Sequence, residues 1–486
     1  MPHDWIIDAL VASACQRRSE LEACLRGWIT SAQLKPGNRL PSSREVSAAL
    51  GIARNSVTAA YEQLVAEGYL EGRHGSGTYV ATLPQLPATT PATRLTARGL
   101  SARGAQLLAA SRLPTGLIGA FAPGVPELTR FPHALWQRLQ SRHQRSASPD
   151  MFGYRNDGGY LPLRSALADY LTFARGVRCH SEQIVITQGA QGALELAARL
   201  LAEPGETAWV EEPGYAGAHA ALQGAGLRLA PVTVDAHGLS LAQAAHSPAP
   251  RLIYLTPSHQ YPSAVVMPLS RRLQILAHAE ACGAWVIEDD YDSEFRYSSA
   301  PIPALQGIAR SDCVIYIGTF SKVMYPALRL GYMVLPDALV DAFRRCNARL
   351  YREGHYPLQA ALAEFIGSGH FARHIRAMRE LYRQRQTLLR AVLAQELGDT
   401  LPLSAGEAGL HLLARLPDGY DELALSARAA SEGLWLRPWS AHCLLSGPER
   451  ALVLGYAGVE ETALQSAARR LAQLLTQDPA FVAAHA

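Results

Sequence analysis

Lysine is nearly absent from this chain: of its 45 basic side chains only Lys35 and Lys322 are lysines, and the rest are arginines. A chain that uses arginine wherever positive charge suffices keeps a lysine where it needs different chemistry. An ammonium loses its proton when desolvated or placed beside other cations, and the free amine attacks an aldehyde to form a Schiff base, whereas a guanidinium stays protonated. Lys322 lies in Tyr316-Ile317-Gly318-Thr319-Phe320-Ser321-Lys322, with the Thr319 and Ser321 hydroxyls beside it and Arg329 further on. Hydroxyls and a guanidinium around a reactive amine suit a phosphorylated aldehyde, so the stretch points to pyridoxal 5'-phosphate. The competing account is a surface lysine in a loop between two buried strands.

Two other stretches offer partners for such a cofactor. Trp285-Val286-Ile287-Glu288-Asp289-Asp290-Tyr291 crowds acids at the end of an apolar run. Carboxylates there are costly to bury unless they meet a cation, and a pyridinium nitrogen would be one. Thr187-Gln188-Gly189-Ala190-Gln191-Gly192 ends another apolar run and leads into a helix expected over 193–201. Glycine there lets the backbone approach closely, and the free N–H groups of a helix start bind anions. This second signal is weak by itself, because many strand-to-helix turns contain glycine.

The elements that must position these residues repeat in one order. Short β-branched runs at 184–187, 207–210, 252–255, 285–287, 314–317 and 332–335 alternate with helical stretches. That pattern predicts an α/β fold, a mostly parallel sheet covered by helices with ligands at the strand ends. From about Tyr351 to the end a smaller α+β subdomain is expected. At 486 residues, 48% hydrophobic and 18% charged with a net charge of +3, the chain reads as globular with more than one domain. No charged segment followed by an apolar run opens it, and no stretch is apolar enough to span a bilayer. The expectation is therefore no membrane partner and a cytoplasmic address. Seven cysteines without a CxxC pair, and His355, His370 and His374 at loose spacing, argue against a disulfide framework and against a metal centre.

The first eighty or so residues are organised differently. Leu21, Leu25, Trp28 and Ile29 fall on one face of a helix over 19–31. After the turn signal Lys35-Pro36-Gly37-Asn38, Ser42 with Glu45 forms a capping box, which starts a second helix running to about Leu50. Gly51-Ile52-Ala53 turns into a third helix over 54–67. It points Val57, Tyr61, Leu64 and Val65 inward and leaves Arg54, Asn55, Ser56 and Thr58 near its exposed start. Two short helices joined by such a turn have the form of a helix-turn-helix, whose second helix can enter the major groove of DNA. Strands flanking Arg73-His74-Gly75-Ser76-Gly77 make a glycine-rich hairpin tip able to lie against a sugar-phosphate backbone. Acids and bases nearly cancel over 1–80, so the case for DNA rests on this pattern and not on a basic patch. A helical protein-interaction module is the plainer alternative.

Residues 82–114 lack sustained apolar periodicity, carry Pro84, Pro87 and Pro91, and read as a semi-extended tether with a short helical piece at 104–110. Arg94, Arg98, Arg103 and Arg112 occur there without an acid. Solvated linker charge is the simpler account, and contact with DNA phosphates or an acidic face of the large domain is the other.

The stretch LKPGNRLPSSREVSAALGIARNSVTAAYEQLVAEGYLEGRHGSGTYVA resembles the GntR-type winged helix-turn-helix over its whole length. The resemblance implies Arg44 and Arg54 as principal contacts to double-stranded DNA, with Asn55 and Ser56 beside them and the Gly75-Ser76-Gly77 tip at the minor groove. Ala53 stands where that family usually has serine or threonine, which removes a helix cap or phosphate contact. From about Leu117 onward the chain resembles the fold-type I aminotransferases, and as a whole it resembles the MocR/GabR group of GntR-family regulators. That resemblance implies that Lys322 carries the cofactor, Asp289 pairs with the pyridine nitrogen, Tyr291 hydrogen-bonds the phenolic oxygen and Tyr215 stacks on the ring. It further implies that Ala190 and Gln191, with Ser321 and Arg329, hold the phosphate, and that Tyr154 reaches the phosphate of a partner subunit in a homodimer.

Two departures bear on activity. Tyr261-Pro262-Ser263-Ala264 stands where many of the enzymes have Asn-Pro-Thr-Gly, with His259 near the lost asparagine, and Val453 stands where they place an arginine for the substrate carboxylate. Arg415 or Arg437 is then the substitute anchor. Both departures disfavour full turnover. The expectation is a DNA-binding transcriptional regulator: a winged helix-turn-helix over 1–81, a linker over 82–114 and an aminotransferase-like domain over 115–486 that binds pyridoxal phosphate. That domain senses a small-molecule effector, either a small amine, an amino acid or the cofactor itself. The alternative is a working aminotransferase with an autoregulatory DNA module.

Overall fold

The computed structural model of the chain describes residues 4–13, 15–82, 99–110, 119–297 and 302–483. They fall into two compact units, Met1–Gly99 and Leu100–Ala486. Most of the expected tether, including Pro84, Pro87, Pro91, Arg94, Arg98 and Arg112, lies outside the described residues.

The first unit contains α1 (Asp4–Ala12), α2 (Arg18–Thr30), α3 (Ser43–Leu50) and α4 (Arg54–Ala66), then a hairpin of β1 (Leu70–Arg73) and β2 (Gly77–Val80). The capping box forms at α3: the Glu45 N–H donates to Ser42 Oγ at 3.3 Å, and the Ser42 N–H donates to the Glu45 carboxylate at 2.7 Å. Gly51 ends α3 at φ 69°, a left-handed conformation that glycine adopts without cost. Val57, Ala60, Tyr61 and Leu64 pack with Leu21 and Leu25 into one core, and the Tyr61 hydroxyl donates to the Pro41 carbonyl at 2.9 Å. Val65 departs from the expectation: it is 40% exposed, because the buried stripe of α4 runs through Ala60 and position 65 falls past its edge. Helix α1 lies beyond what periodicity suggested, and its Ile6 and Leu10 join the same core.

In the second unit the alternation of runs and helices produces an eight-stranded sheet. Its strands are β3 (Ile184–Thr187), β4 (Thr207–Glu212), β5 (Arg228–Asp235), β6 (Gly238–Leu239), β7 (Leu252–Leu255), β8 (Trp285–Asp290), β9 (Val314–Thr319) and β10 (Gly331–Val334). They lie in the order β3-β10-β9-β8-β7-β4-β5-β6. The five from β9 to β5 are mutually parallel, β10 is antiparallel to both neighbours, and β6 folds back on β5. Strand β5 escapes a reading based on β-branched runs because Pro231 interrupts it. Strands β4 and β8 run past their apolar centres and carry Glu211 and Glu212, and Glu288, Asp289 and Asp290, into buried positions. A helix, Gly189–Leu201, follows β3 and starts four residues earlier than expected. The smaller α+β part has an antiparallel sheet of β11 (His411–Leu416), β12 (Arg437–Pro438) and β13 (Arg450–Gly455) in the order β11-β13-β12, together with the long helix His370–Leu397.

Helix Leu161–Arg175 is tied to this sheet through its last residue. Arg175 Nε donates to Asp290 Oδ2 at 2.7 Å, and its other nitrogens donate to the Ile302 carbonyl at 2.6 Å and to Ser258 Oγ at 2.8 Å. The Tyr316 hydroxyl on β9 donates to the same Asp290 oxygen at 2.6 Å. Arg175 and Asp290 are both buried, so removing the cation strands the carboxylate. Arg175→Leu is expected to cost about 3–5 kcal/mol, read as a fall in the urea unfolding midpoint. A loss below about 1 kcal/mol would mean that Tyr316 alone satisfies Asp290.

Candidate functional site

Lys322 lies just beyond the end of β9. Its amine donates to the Gly124 carbonyl at 2.8 Å. Gly124 has φ 71°, which favours glycine, and a Cβ there would lie 2.7 Å from Nζ and displace the end of the lysine side chain. Burial pulls the amine below the ordinary lysine pKa, while Asp292 and Asp289 pull it the other way. Asp289, on β8, is 4% exposed. Tyr254 on β7 donates its hydroxyl to Asp289 Oδ2 at 2.7 Å, and Oδ1 has no partner among the described residues. Burial raises this carboxyl to about 6, against the stabilising bond from Tyr254. The Lys322 ammonium acts on this acid through its charge, and no cation among the described residues is ion-paired with it.

The loop after β7 supplies the next group. Thr256 and Gln260 both donate to the buried Glu211 carboxylate, at 2.6 and 3.2 Å, which holds the loop to β4. In that loop His259 Nδ1 lies 3.1 Å from the Tyr291 hydroxyl and 3.0 and 3.2 Å from the two oxygens of Asp292. Ligand atoms of His259, Asp292 and His411 all lie within 4.8 Å of one another, compact enough for a metal ion. Sequence spacing gave no warning of this cluster, since its members come from three separate elements. His259 Nδ1 already faces Asp292, and His411 Nε2 donates to the Pro262 carbonyl at 3.2 Å. Those bonds favour a hydrogen-bonded network over a metal centre.

Tyr261 takes the asparagine position with a ring that meets four others nearly edge-on: Tyr215 and Tyr291 at 6.1 Å, His411 at 5.4 Å and His442 at 5.0 Å. The Tyr215 side chain is 37% exposed, yet desolvation of its hydroxyl pushes the phenol up to about 12, so it stays neutral. Arg437 on β12 is half-buried, and its charge opposes the burial-driven rise of the Tyr261 phenol pKa. Arg415 on β11 is exposed at the one open position of that strand. Of the two substitute anchors, the structure brings only Arg437 to the aromatic group.

Ala190 and Gln191 sit at the start of helix Gly189–Leu201, where Gln188 makes no side-chain cap and the Gln191 amide donates to the Gly217 carbonyl at 3.0 Å. The Ser321 N–H donates to Thr319 Oγ1 at 3.2 Å. Arg329 adopts φ 55° and is exposed; its backbone N–H donates to the Pro326 carbonyl, and its guanidinium has no hydrogen bond or ion pair among the described residues. Tyr154 is 90% exposed in the single chain, its ring 5.4 Å from the Arg352 guanidinium.

In the first unit, Arg44, Arg54 and Asn55 are exposed at the starts of α3 and α4, with Ser56 half-buried. Arg54 Nε donates to Ser43 Oγ at 3.4 Å, which links the two helix starts. Ala53 leaves α4 without a side-chain cap, so only its own carbonyl, which accepts from the Ser56 N–H at 2.9 Å, serves the start of the helix. Gly75, Ser76 and Gly77 are exposed at the hairpin tip. Sequence reasoning missed Arg39: its guanidinium lies so close to Gly77 that a Cβ there would be 3.1 Å from Nε. An isolated bridge between Arg39 and Tyr79, unsignalled by any motif, places it there.

The pattern of the aminotransferase class I and II family matches residues 126–471, and that of the bacterial regulatory proteins of the gntR family matches 17–80. The chain is 42% identical, over 90% of its length and 89% of the other's, to the probable rhizopine catabolism regulatory protein MocR of Rhizobium meliloti. It is 33% identical, over 92% and 93%, to the pyridoxine biosynthesis transcriptional regulator PdxR of Corynebacterium glutamicum. Among solved structures, LysN, the alpha-aminoadipate aminotransferase of Thermus thermophilus complexed with N-(5'-phosphopyridoxyl)-L-leucine, superposes with a TM-score of 0.68 at 26% identity. The match covers 79% of this chain and 96% of that one.

The orphaned acid makes a pH-dependent claim. The folded Asp289 carboxyl ionises only near 6, above its ordinary 3.8, so stability is lost as pH rises through that interval and the loss is complete above it. The rise corresponds to about 3 kcal/mol on the ionised form. In the ligand-free chain, Asp289→Asn is therefore expected to raise stability by about 3 kcal/mol near pH 8 and by about half that near pH 5, measured by urea unfolding. A destabilised variant at the higher pH would show that a cation inside the chain already neutralises Asp289.

Proposed function

This chain belongs to the MocR-type regulators of the GntR family, DNA-binding transcriptional regulators with an aminotransferase class I and II domain, and on that footing we propose that its second unit holds pyridoxal phosphate as part of an effector sensor. The observation that carries the reading is the presence together of a half-buried, acid-faced amine at Lys322 and the open oxygen of Asp289. These residues fit the cofactor: a cationic ring nitrogen supplies the partner Asp289 Oδ1 lacks, and an aldehyde supplies an electrophile for the amine. When bound, pyridoxal phosphate contributes that aldehyde and an electron-withdrawing ring, the chemistry by which amines are captured.

The chain's own residues divide the remaining work. Asp289 holds a proton on the ring nitrogen, and Tyr291 reaches the phenolic oxygen. Tyr215 covers the ring. Ala190, Gln191, Ser321 and Arg329 hold the phosphate through a helix start and a free guanidinium, and Tyr154 completes the neighbouring site in a homodimer. Arg437, half-buried beside the aromatic group, meets the carboxylate of an amino-acid effector in place of the arginine lost at Val453. An effector that fits one arrangement of this unit better than another shifts its population, and DNA affinity must shift effector affinity by the same factor. In the first unit Arg44, Arg54, Asn55 and Ser56 read the major groove, and Gly75, Ser76 and Gly77 follow the backbone at the minor groove. Retention of Lys322 and Asp289 also keeps a second reading, an aminotransferase with its own DNA module. Rapid steady-state product from an amino donor and a 2-oxo acid would favour it.

Adding pyridoxal phosphate to the purified chain is expected to produce a visible absorbance band that Lys322→Ala abolishes. A colourless wild-type chain counts against the cofactor. Arg44→Ala and Arg54→Ala should keep that band and weaken operator binding by about 10- to 100-fold each. Sequence-selective binding at wild-type strength would remove these residues from the interface. Arg437→Gln should keep both band and DNA binding and lose the response to a carboxylate-bearing effector.

A further inference from the structure

His259 Nδ1 has two oxygen neighbours and one valence to offer them. The Asp292 carboxylate lies 3.0 and 3.2 Å away and the Tyr291 hydroxyl 3.1 Å away. Both His259 and Asp292 are buried, and these distances are direct hydrogen-bond contacts. If Nδ1 were bare, its lone pair would face two carboxylate oxygens at contact distance, an arrangement without a hydrogen bond in a site of low polarisability. A hydrogen on Nδ1 turns the same contact into a donor bond to Asp292. Nδ1 then cannot accept from Tyr291. Among the described residues no other hydrogen-bond partner serves the Tyr291 hydroxyl, so its proton is left to an acceptor from outside the chain. The buried Nε2 has no partner, consistent with an imidazole whose one hydrogen is committed at Nδ1.

We propose that His259 and Asp292 act as a positioning pair: Asp292 fixes the hydrogen on His259 Nδ1, and this releases the Tyr291 proton toward the phenolic oxygen of a bound phosphopyridine. The inference rests on the cofactor reading above and deepens it by assigning the direction of one hydrogen bond. It also gives a role to His259, which stands near the lost asparagine. The contact is supplied by Tyr291, and the pair behind it decides which way its proton points.

The test uses the full chain loaded with pyridoxal phosphate and reads the ratio of its long- to short-wavelength absorbance bands at one pH. Without the carboxylate, Nδ1 can take its lone-pair form and capture the Tyr291 proton. Asp292→Ala is therefore expected to change the band ratio by about tenfold, in the same direction as Tyr291→Phe. Adding His259→Leu to Asp292→Ala removes the captor and should return the ratio to within about twofold of wild type, which loss of packing alone would not do. Nitrogen magnetic resonance of the wild-type imidazoles, with His259→Asn to assign the signal, should find the hydrogen on Nδ1, and this measurement needs no damaged site. An unchanged ratio in Asp292→Ala, or a hydrogen on Nε2 alone, overturns the proposal while the cofactor band stands. A wild-type chain with no band overturns the cofactor reading and this proposal together.

Discussion

The second unit is built around carboxylates that should not be where they are. Glu211, Glu288, Asp289, Asp290 and Asp292 are all buried at or just beyond the ends of two parallel strands. Each is answered differently. Glu211 takes hydrogen bonds from Thr256 and Gln260, Glu288 from the backbone of Leu305 and Gln306, Asp290 from Arg175 and Tyr316, and Asp292 from His259. Asp289 has Tyr254 on one oxygen and, like Asp290, no partner on the other among the described residues. Asp290 is compensated by its ion pair with Arg175 and Asp289 has no ion pair among the described residues, so Asp289 marks where the fold accepts a loss of stability for a ligand, since buried polar groups are otherwise almost always paired.

The satisfied acids also explain why the loops around the site hold their shape. Glu211 fixes the loop that carries His259 and Tyr261, and Asp290 fixes the end of helix Leu161–Arg175. The aromatic group around Tyr261 is thus held by polar contacts from behind and ring edges from the sides. Such support keeps functional side chains in one rotamer, which loops alone do poorly.

How much of this could be read in the chain alone follows from the range of the interactions. The strands with β-branched runs and the capping box at Ser42 are local signals, and they appear at or close to their expected positions. Strand β5 hides behind Pro231, and Val65 shows that a helical stripe narrower than expected can put an apolar side chain outside. Lys322 and Asp289 stood out by residue type, one rare and the other costly to bury. Gly124, Tyr254 and Arg39 had no such mark: each matters only because folding brings it to a distant partner, across 198 residues in the case of Gly124 and Lys322. Choosing between Arg415 and Arg437 likewise needed the strand register, which decides the face each occupies.

The bond between the Lys322 amine and the Gly124 carbonyl has one more implication. The acceptor is a main-chain oxygen, which no change of side chain can delete, and a larger residue at that position would displace the nitrogen it holds. The amine therefore rests against backbone, and an aldehyde reaching it, as the proposed function requires, would displace that contact. The rate of such a capture would then depend on a main-chain bond, and its strength on side chains elsewhere, so the two properties could drift apart over evolutionary time.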